Sequence, residues 1–301
     1  MNVKILLTGG TGFIGKWIIE LLSEKHQLTI VGRNESVKVF PEEDISVSYL
    51  STDYSIDSLS RHMKNIDAVV HLAAKRVPLG AKGETIEDYT GNMLVSSNLF
   101  EVCKREGIKN IINISSKAVY SSNNALPCSE NDTPKPLNFY GLSKLMIEQL
   151  ADYYNTKYGM NIKSLRLAQV LGVGEREGFM LMTFINKALR KEELSLWGKG
   201  EGKRDYIYVK DVVDAIDFAL AEPNQKGVFN IGSGTNVSHK ELAETINKVF
   251  ENTGNITFLS DKAEDKSVDI MDISKAKECL NWIPNWNLED ALYDMKKILI
   301  G

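Results

Sequence analysis

Tyr140 and Lys144 stand four residues apart in Tyr140-Gly141-Leu142-Ser143-Lys144, a spacing that sets a phenol and an ammonium on one face of a helix. Such a pair can move a proton on and off a carbinol oxygen, the phenol passing the proton and the ammonium favouring the phenolate. The spacing alone singles out nothing, because it recurs at Tyr153/Lys157, Tyr206/Lys210 and Tyr293/Lys297, and a helix-surface pair is its other reading. A second candidate lies near the N-terminus, where Thr8-Gly9-Gly10-Thr11-Gly12-Phe13-Ile14-Gly15 follows an apolar run and opens a helical pattern. Glycines there permit a tight turn, close approach of backbone to a pyrophosphate and close helix-to-strand packing, with the helix N-terminus facing the negative charge. A purely structural turn is the alternative reading of such a trio.

These groups need a scaffold, and the first half of the chain supplies its signature. Short β-rich runs alternate with helical segments: Val3 to Thr8, Phe13 to Ser23, Leu28 to Val31, Ile45 to Leu50, Leu59 to Lys64 and Ala68 to Leu72. A helical pattern from Glu84 to Glu106 leads into a strand from Ile108 to Ser115, followed by a helix from Phe139 to Tyr158 and a strand from Leu165 to Val170. Alternation of this kind predicts an α/β fold, a doubly wound parallel sheet of the Rossmann type with a smaller C-terminal substrate lobe. Beyond Gly172 the pattern is less regular, with helices over Phe179 to Arg190 and Asp211 to Ala221. The expected division is 1–171 plus 205–232 for the dinucleotide-binding domain and 172–204 plus 233–301 for the substrate lobe.

Composition narrows the partners. The chain has 301 residues, 43% hydrophobic and 25% charged, enough to bury a large core. A net charge of -4 and the lack of a lysine-arginine stripe argue against nucleic acid and anionic membranes. No run approaches the roughly 20 apolar residues of a membrane span. Cys103, Cys128 and Cys279 are odd in number and widely spaced, which points away from a disulfide framework or a metal site and toward the cytoplasm.

The string TGGTGFIG, with its G-x-x-G-x-x-G spacing, resembles the extended short-chain dehydrogenases, the NAD-dependent epimerase/dehydratase family. The resemblance runs nearly the whole length, through His71-Leu72-Ala73-Ala74, Asn92 opening NMLVSSNLFEVC, Glu201 to Asp211, Asn230-Ile231-Gly232-Ser233-Gly234 and Asp272 to Pro284. It implies a Ser/Tyr/Lys catalytic site at Ser116, Tyr140 and Lys144, with Ser116 orienting the substrate oxygen. It also implies cofactor contacts from Gly9, Gly12, Phe13, Ile14, Gly15, Asp53, Tyr54, Leu72, Ala73, Ala74 and Asn92, besides Tyr140 and Lys144. Arg204 is implied as the grip on the diphosphate of a nucleotide sugar, a surface pairing with Asp205 or Asp211 being its other reading. A homodimer built from the Glu84 to Glu106 and Phe139 to Tyr158 helices is implied too, although the same apolar stripes could face only the sheet.

Departures from the family pattern carry information. Where an acid at the end of the second strand would hold the ribose 2'-hydroxyl of NAD, this chain has Gly32-Arg33-Asn34, which predicts NADP in preference to NAD with Arg33 on the 2'-phosphate. Stacking of Arg33 on adenine, or a solvent position, is the other reading. Gln169 replaces an asparagine contact to the nucleotide, and Lys262 stands in for a missing second diphosphate arginine. Lys117-Ala118 replaces the acid pair of sugar 4,6-dehydratases, which argues against that reaction. The expected function is a sugar-nucleotide 4-epimerase working through a 4-keto intermediate. An NADPH-dependent 4-keto-6-deoxy sugar-nucleotide reductase is the alternative, and a non-catalytic dinucleotide sensor a distant third.

Overall fold

The computed structural model describes residues 2–33, 47–75, 85–121, 124–176 and 178–301. In chain order the elements are β1 (Lys4–Thr8), α1 (Phe13–Leu22), β2 (Gln27–Gly32), β3 (Val47–Ser51), α2 (Ile56–Ser60), β4 (Ala68–His71), α3 (Glu87–Glu106) and β5 (Asn110–Ser116). A 3-10 turn over Lys117–Val119 precedes α4 (Phe139–Tyr158), β6 (Asn161–Leu167), β7 (Gln169–Leu171), α5 (Met180–Leu189), β8 (Leu194–Trp197), β9 (Lys203–Arg204), β10 (Tyr206–Tyr208) and α6 (Val209–Ala221). The chain ends with β11 (Gly227–Ile231), β12 (Val237–Ser238), α7 (His239–Val249), β13 (Ile256–Leu259), α8 (Ser274–Leu280) and α9 (Leu288–Ile300).

Among the described residues, seven strands form one sheet in the order β11-β6-β5-β4-β1-β2-β3, every neighbouring pair parallel. This confirms the doubly wound α/β fold. Helices cover both faces, which is why the central strands are apolar on successive residues rather than alternating. Ile5, Leu7, Val70 and Ile112 pack with Ile18 of α1 and Val212 of α6. Leu6, Val69 and Ile111, one residue out of step, pack with Leu99 of α3 and Ile147 of α4 on the other face. Winding reverses between β1 and β4, so their carboxyl ends open the crevice in which sheets of this class bind ligands.

Helix α4 spans the expected Phe139 to Tyr158, and most other elements fall within a few residues of their expected bounds. The helix expected at Leu59 to Lys64 instead starts at Ile56, because Ser55 caps it by accepting from Ser58 N at 3.2 Å. The single strand expected at Leu165 to Val170 is two. Leu167 pairs with Ile231 in the large sheet, and after Ala168 the chain turns off so that Gln169 pairs with Tyr206. Expected residues Asn34, Ile45 and Glu84 lie outside the described set. Among the described residues no helix is long and apolar enough to cross a membrane.

Candidate active site

The glycine loop is built against the end of β4. Gly9 has φ +74, a left-handed backbone that favours glycine, and a Cβ there would lie 2.8 Å from Ala73 N. A Cβ on Gly15 would meet Gly9 O at 2.3 Å, so α1 lies directly on the turn, which Gly12 N closes by donating to Gly9 O at 3.0 Å. The N-terminus of α1 has no side-chain cap and no acid in its first turn. Its first N–H groups therefore have no internal partner, the condition for meeting an anion. Phe13 and Ile14 open this helix, and Phe13 packs beside Gly172, whose Cβ would lie 3.0 Å from the Phe13 ring.

A cavity of about 610 Å³ opens over this loop, bounded by Gly9, Arg33, Tyr54, Ala73, Ala74 and Asn92 among others. These six are the expected cofactor residues the structure brings together. Leu72 does not bound the cavity but meets the glycine loop through its backbone, its carbonyl carbon 2.9 Å from a Cβ built on Gly9. Asp53 does not bound the cavity: its exposed carboxylate has a lowered pKa because of hydrogen bonds from the Ser55 side chain and from Ser55 N, the latter at 2.8 Å. Tyr54 occupies a left-handed backbone position (φ 63), held by Thr52 Oγ1 accepting from its N–H and by Asn98 donating to its carbonyl. The glycine cradle, the uncapped helix and the adjoining cavity fit a dinucleotide diphosphate.

A buried chain of neutral groups fixes the cavity wall. Ala73 N donates to Thr8 Oγ1 at 3.1 Å, and Thr8 Oγ1 and His71 Nδ1 are 2.7 Å apart. On the other side of the ring His71 Nε2 lies 2.9 Å from Ser96 Oγ, which itself donates to Asn92 O at 2.8 Å. Ser96 has one proton and has committed it, so Nε2 carries the imidazole proton and Nδ1 accepts from Thr8. Burial, reinforced by the charge of Lys144, pushes the His71 pKa down to about 3 and keeps the ring neutral. Asn92 completes the set by accepting from Lys75 N at 2.6 Å and donating to Lys75 O at 2.9 Å.

The catalytic candidates converge at the carboxyl end of β5. Lys144 is buried, donates through Nζ to Ile114 O at 2.7 Å and stands 5.9 Å from the centre of the Tyr140 ring. Tyr140 is tilted against Tyr89 with ring centres 6.0 Å apart. Ser116 Oγ caps the 3-10 turn by accepting from Ala118 N at 3.2 Å. That turn lies against the start of α4, where a Cβ on Gly141 would meet Ala118 O at 2.1 Å. Close approach at Gly141 thus sets the distance between the helix bearing Tyr140 and Lys144 and the strand end bearing Ser116.

Behind the trio lies a network the sequence reading did not assign. Glu148, one turn beyond Lys144 and fully buried, accepts from Ser115 Oγ at 2.5 Å and from Arg166 Nη2 at 2.7 Å. Arg166 Nη1 donates to Tyr120 Oη at 2.8 Å, which donates to Asn230 at 2.8 Å. The signal was available: a charged residue in the apolar run of β6 requires a buried partner.

The expected substrate residues are less assembled. Arg204 pairs with neither Asp205 nor Asp211. It bonds to Asp265 at 2.5 Å and Ser267 O at 2.6 Å and approaches Asp269 at 3.5 Å. Asp205 is buried and instead holds Ser233 N at 2.7 Å, while Asp211 accepts from Asn285 N at 2.7 Å. Asp269 also forms an ion pair with Lys117, tying the residue after Ser116 to Arg204. Gln169 donates to Glu175 at 3.3 Å. Lys262 lies on an exposed turn with Asp261 as its ion partner at 4.0 Å, outside the Arg204 cluster.

The model of the NAD dependent epimerase/dehydratase family matches residues 5–232. The dTDP-4-dehydro-6-deoxyglucose reductase of Escherichia coli is 32% identical, with 96% of this chain and 95% of that protein aligned. The solved UDP-N-acetylglucosamine 4-epimerase from Bacillus cereus is 33% identical with a TM-score of 0.89, covering 100% of this chain and 97% of that one. The UDP-N-acetylglucosamine 4-epimerase of Methanobrevibacter ruminantium, solved with UDP-N-acetylmuramic acid, is 28% identical with a TM-score of 0.90 over 99% and 98% of the two chains. A glycine cradle at the switch point, a Tyr/Lys helix beside a strand-end serine and a family match across most of the sequence together place this chain in the NAD-dependent epimerase/dehydratase family.

Proposed function

We propose that this protein is an enzyme of C4 redox chemistry on a nucleotide-diphosphate sugar, working as a 4-epimerase. The observation that carries the reading is the placement of Lys144 and Tyr140 beside the Ser116 strand end, at the carboxyl edge of the sheet that also bears the glycine loop. A nicotinamide dinucleotide held on the Gly9 to Gly15 loop supplies the two-electron acceptor. Tyr140 takes the proton from the C4 hydroxyl, Lys144 favours the phenolate, and Ser116 orients the oxygen. Arg204 faces the sugar diphosphate once it exchanges its carboxylate partners. Replacing Tyr140 by Phe should lower turnover by roughly 10²–10⁴-fold while dinucleotide affinity is retained. Undiminished turnover in that variant rejects the mechanism.

The second reading is a 4-keto reductase, favoured by Arg33 and by the likeness to the E. coli reductase. An epimerase regenerates its cofactor and gains nothing from a separate NADPH pool, whereas a reductase draws on one. Interconversion of UDP-sugars by protein that retains its dinucleotide supports the epimerase. Stoichiometric NADPH oxidation by a 4-keto-6-deoxy sugar nucleotide supports the reductase.

Two further readings accompany this one. The division into 1–171 plus 205–232 and 172–204 plus 233–301 is supported by strand pairing: β8 pairs with β13 and β9 with β12 inside the second part, and β7 with β10 inside the first. A homodimer is supported by the stripe Leu142, Met146 and Tyr153 exposed along α4, beside the exposed Leu94 of α3. Light scattering should report twice the monomer mass at micromolar concentration, and a monomer for Met146→Glu. A wild-type monomer rejects the dimer.

A further inference from the structure

The end of β2 lacks the acid that would define an NAD ribose site, and the structure shows what stands there instead. Tyr49 of β3 is paired in register with Ile30 of β2, and Ile30 and Gly32 share one face of the sheet. A long side chain can reach its diagonal neighbour two positions along the adjacent strand. Tyr49 does so: a Cβ built on Gly32 would lie 2.3 Å from Tyr49 Oη and 3.3 Å from the ring carbon that bears it. The phenol thus fills the space where an acidic side chain on residue 32 would begin.

Tyr49, Gly32, Arg33 and Tyr54 all bound the dinucleotide cavity. The Arg33 guanidinium is 5.7 Å from the centre of the Tyr54 ring, which fixes its place at this end. Partial burial raises the Tyr49 pKa from its ordinary value, so the hydroxyl keeps its proton and can donate. The subsite therefore presents a neutral O–H donor and a guanidinium, with no carboxylate at residue 32. A ribose 2'-phosphate, acceptor-rich and anionic, matches that pair, whereas a 2'-hydroxyl would leave the guanidinium unmatched.

We propose that Tyr49 is a specificity-determining residue of the dinucleotide site: its hydroxyl donates to the 2'-phosphate of NADP alongside Arg33, and its ring excludes the acid that would select NAD. This rests on the NADP reading of Arg33, and the two can fail separately.

The test is fluorescence titration of NADPH and NADH against wild type, Arg33→Ala, Tyr49→Phe, Gly32→Asp and Gly32→Asp/Tyr49→Ala, with circular dichroism confirming that each is folded. Wild type should favour NADPH. Tyr49→Phe should weaken NADPH about tenfold, or about 1.4 kcal/mol, and leave NADH unchanged. Gly32→Asp alone should lose both ligands because the new side chain meets Tyr49, and the double variant should regain NADH at least tenfold over Gly32→Asp. Wild type favouring NADH, or Arg33→Ala leaving NADPH affinity intact, overturns the Arg33 reading and the 2'-phosphate contact with it. Wild type favouring NADPH in an Arg33-dependent way, with Tyr49→Phe keeping the wild-type ratio, overturns Tyr49 alone. Gly32→Asp binding NADH as well as the double variant overturns the exclusion.

Discussion

The two ends of the crevice are built on opposite principles. The cofactor wall is fixed by backbone fit and neutral hydrogen bonds, from Gly9 against Ala73 through Thr8, His71 and Ser96 to Asn92. On the proposed substrate side, Lys117 and Arg204 are tied to Asp265 and Asp269 by ion pairs. Neutral networks that satisfy every donor hold a shape without needing a ligand. Part-exposed ion pairs contribute little to stability and can exchange partners, so the second arrangement suits the opening to a diphosphate that we propose there. The contrast predicts a site preformed for its cofactor and reorganised by its substrate.

The strongest challenge to that contrast is Gly15→Ala. Its methyl would meet Gly9 O at 2.3 Å and Gly10 Cα at 2.6 Å, backbone atoms that cannot step aside. We expect dinucleotide affinity to fall at least a hundredfold, equal to about 2.7 kcal/mol. Gly91→Ala is the control. It lies in α3 on the rim of the same cavity, with nothing within 4 Å of the added methyl, and should keep its dinucleotide affinity while gaining about 0.5–1 kcal/mol of stability from helix propensity. If calorimetry and titration find the two alike, a preformed cradle is wrong.

Asp269→Asn probes the other end. Removing one carboxylate frees Lys117 and Arg204 from a shared partner, while the remaining amide oxygen can still accept from Asp205 N, now bound by Asp269 Oδ1 at 2.9 Å. UDP, as the diphosphate probe, should bind about five- to tenfold tighter, with a steeper loss of affinity as salt rises. Weaker binding by isothermal calorimetry would mean that Asp269 shapes the site rather than competing for its cations.

The same contrast governs what the sequence revealed. Thr8 to Gly15 was legible because a glycine loop between a strand and a helix has few physical uses, whereas helical spacing left Tyr140 with Lys144 among three other such pairs and only the family resemblance singled it out. The ion cluster was not legible: Arg204 meets Asp265 and Asp269 across more than 60 positions of chain, and no local pattern distinguishes those carboxylates from Asp205 or Asp211. Tyr49 was missed for a related reason. The role proposed for it depends on strand register and on the absence of a side chain at Gly32, which are facts about two strands at once. Lys262 was inferred by resemblance alone, and the fold sets it on an exposed turn with Asp261 as its ion partner.

A further expected effect lies in the neutral network and concerns pH. His71 has a folded pKa of about 3, lowered first by burial and then by Lys144, against an unfolded value of about 6.5. Between these values the unfolded chain binds a proton that the folded one refuses, so stability rises with pH through that window. The contribution is complete above about pH 6.5 and is lost as pH falls toward 3, at up to about 1.4 kcal/mol per pH unit. His71→Asn keeps a neutral side chain of both hydrogen-bonding types but cannot titrate there. Its urea-unfolding free energy should therefore start below wild type at pH 7.5 and converge toward it by pH 5, a range above the ordinary carboxylate pKa values. Parallel curves for the two proteins would mean that the His71 ring accepts a proton in place, and that the wall of the cofactor cavity carries charge after all.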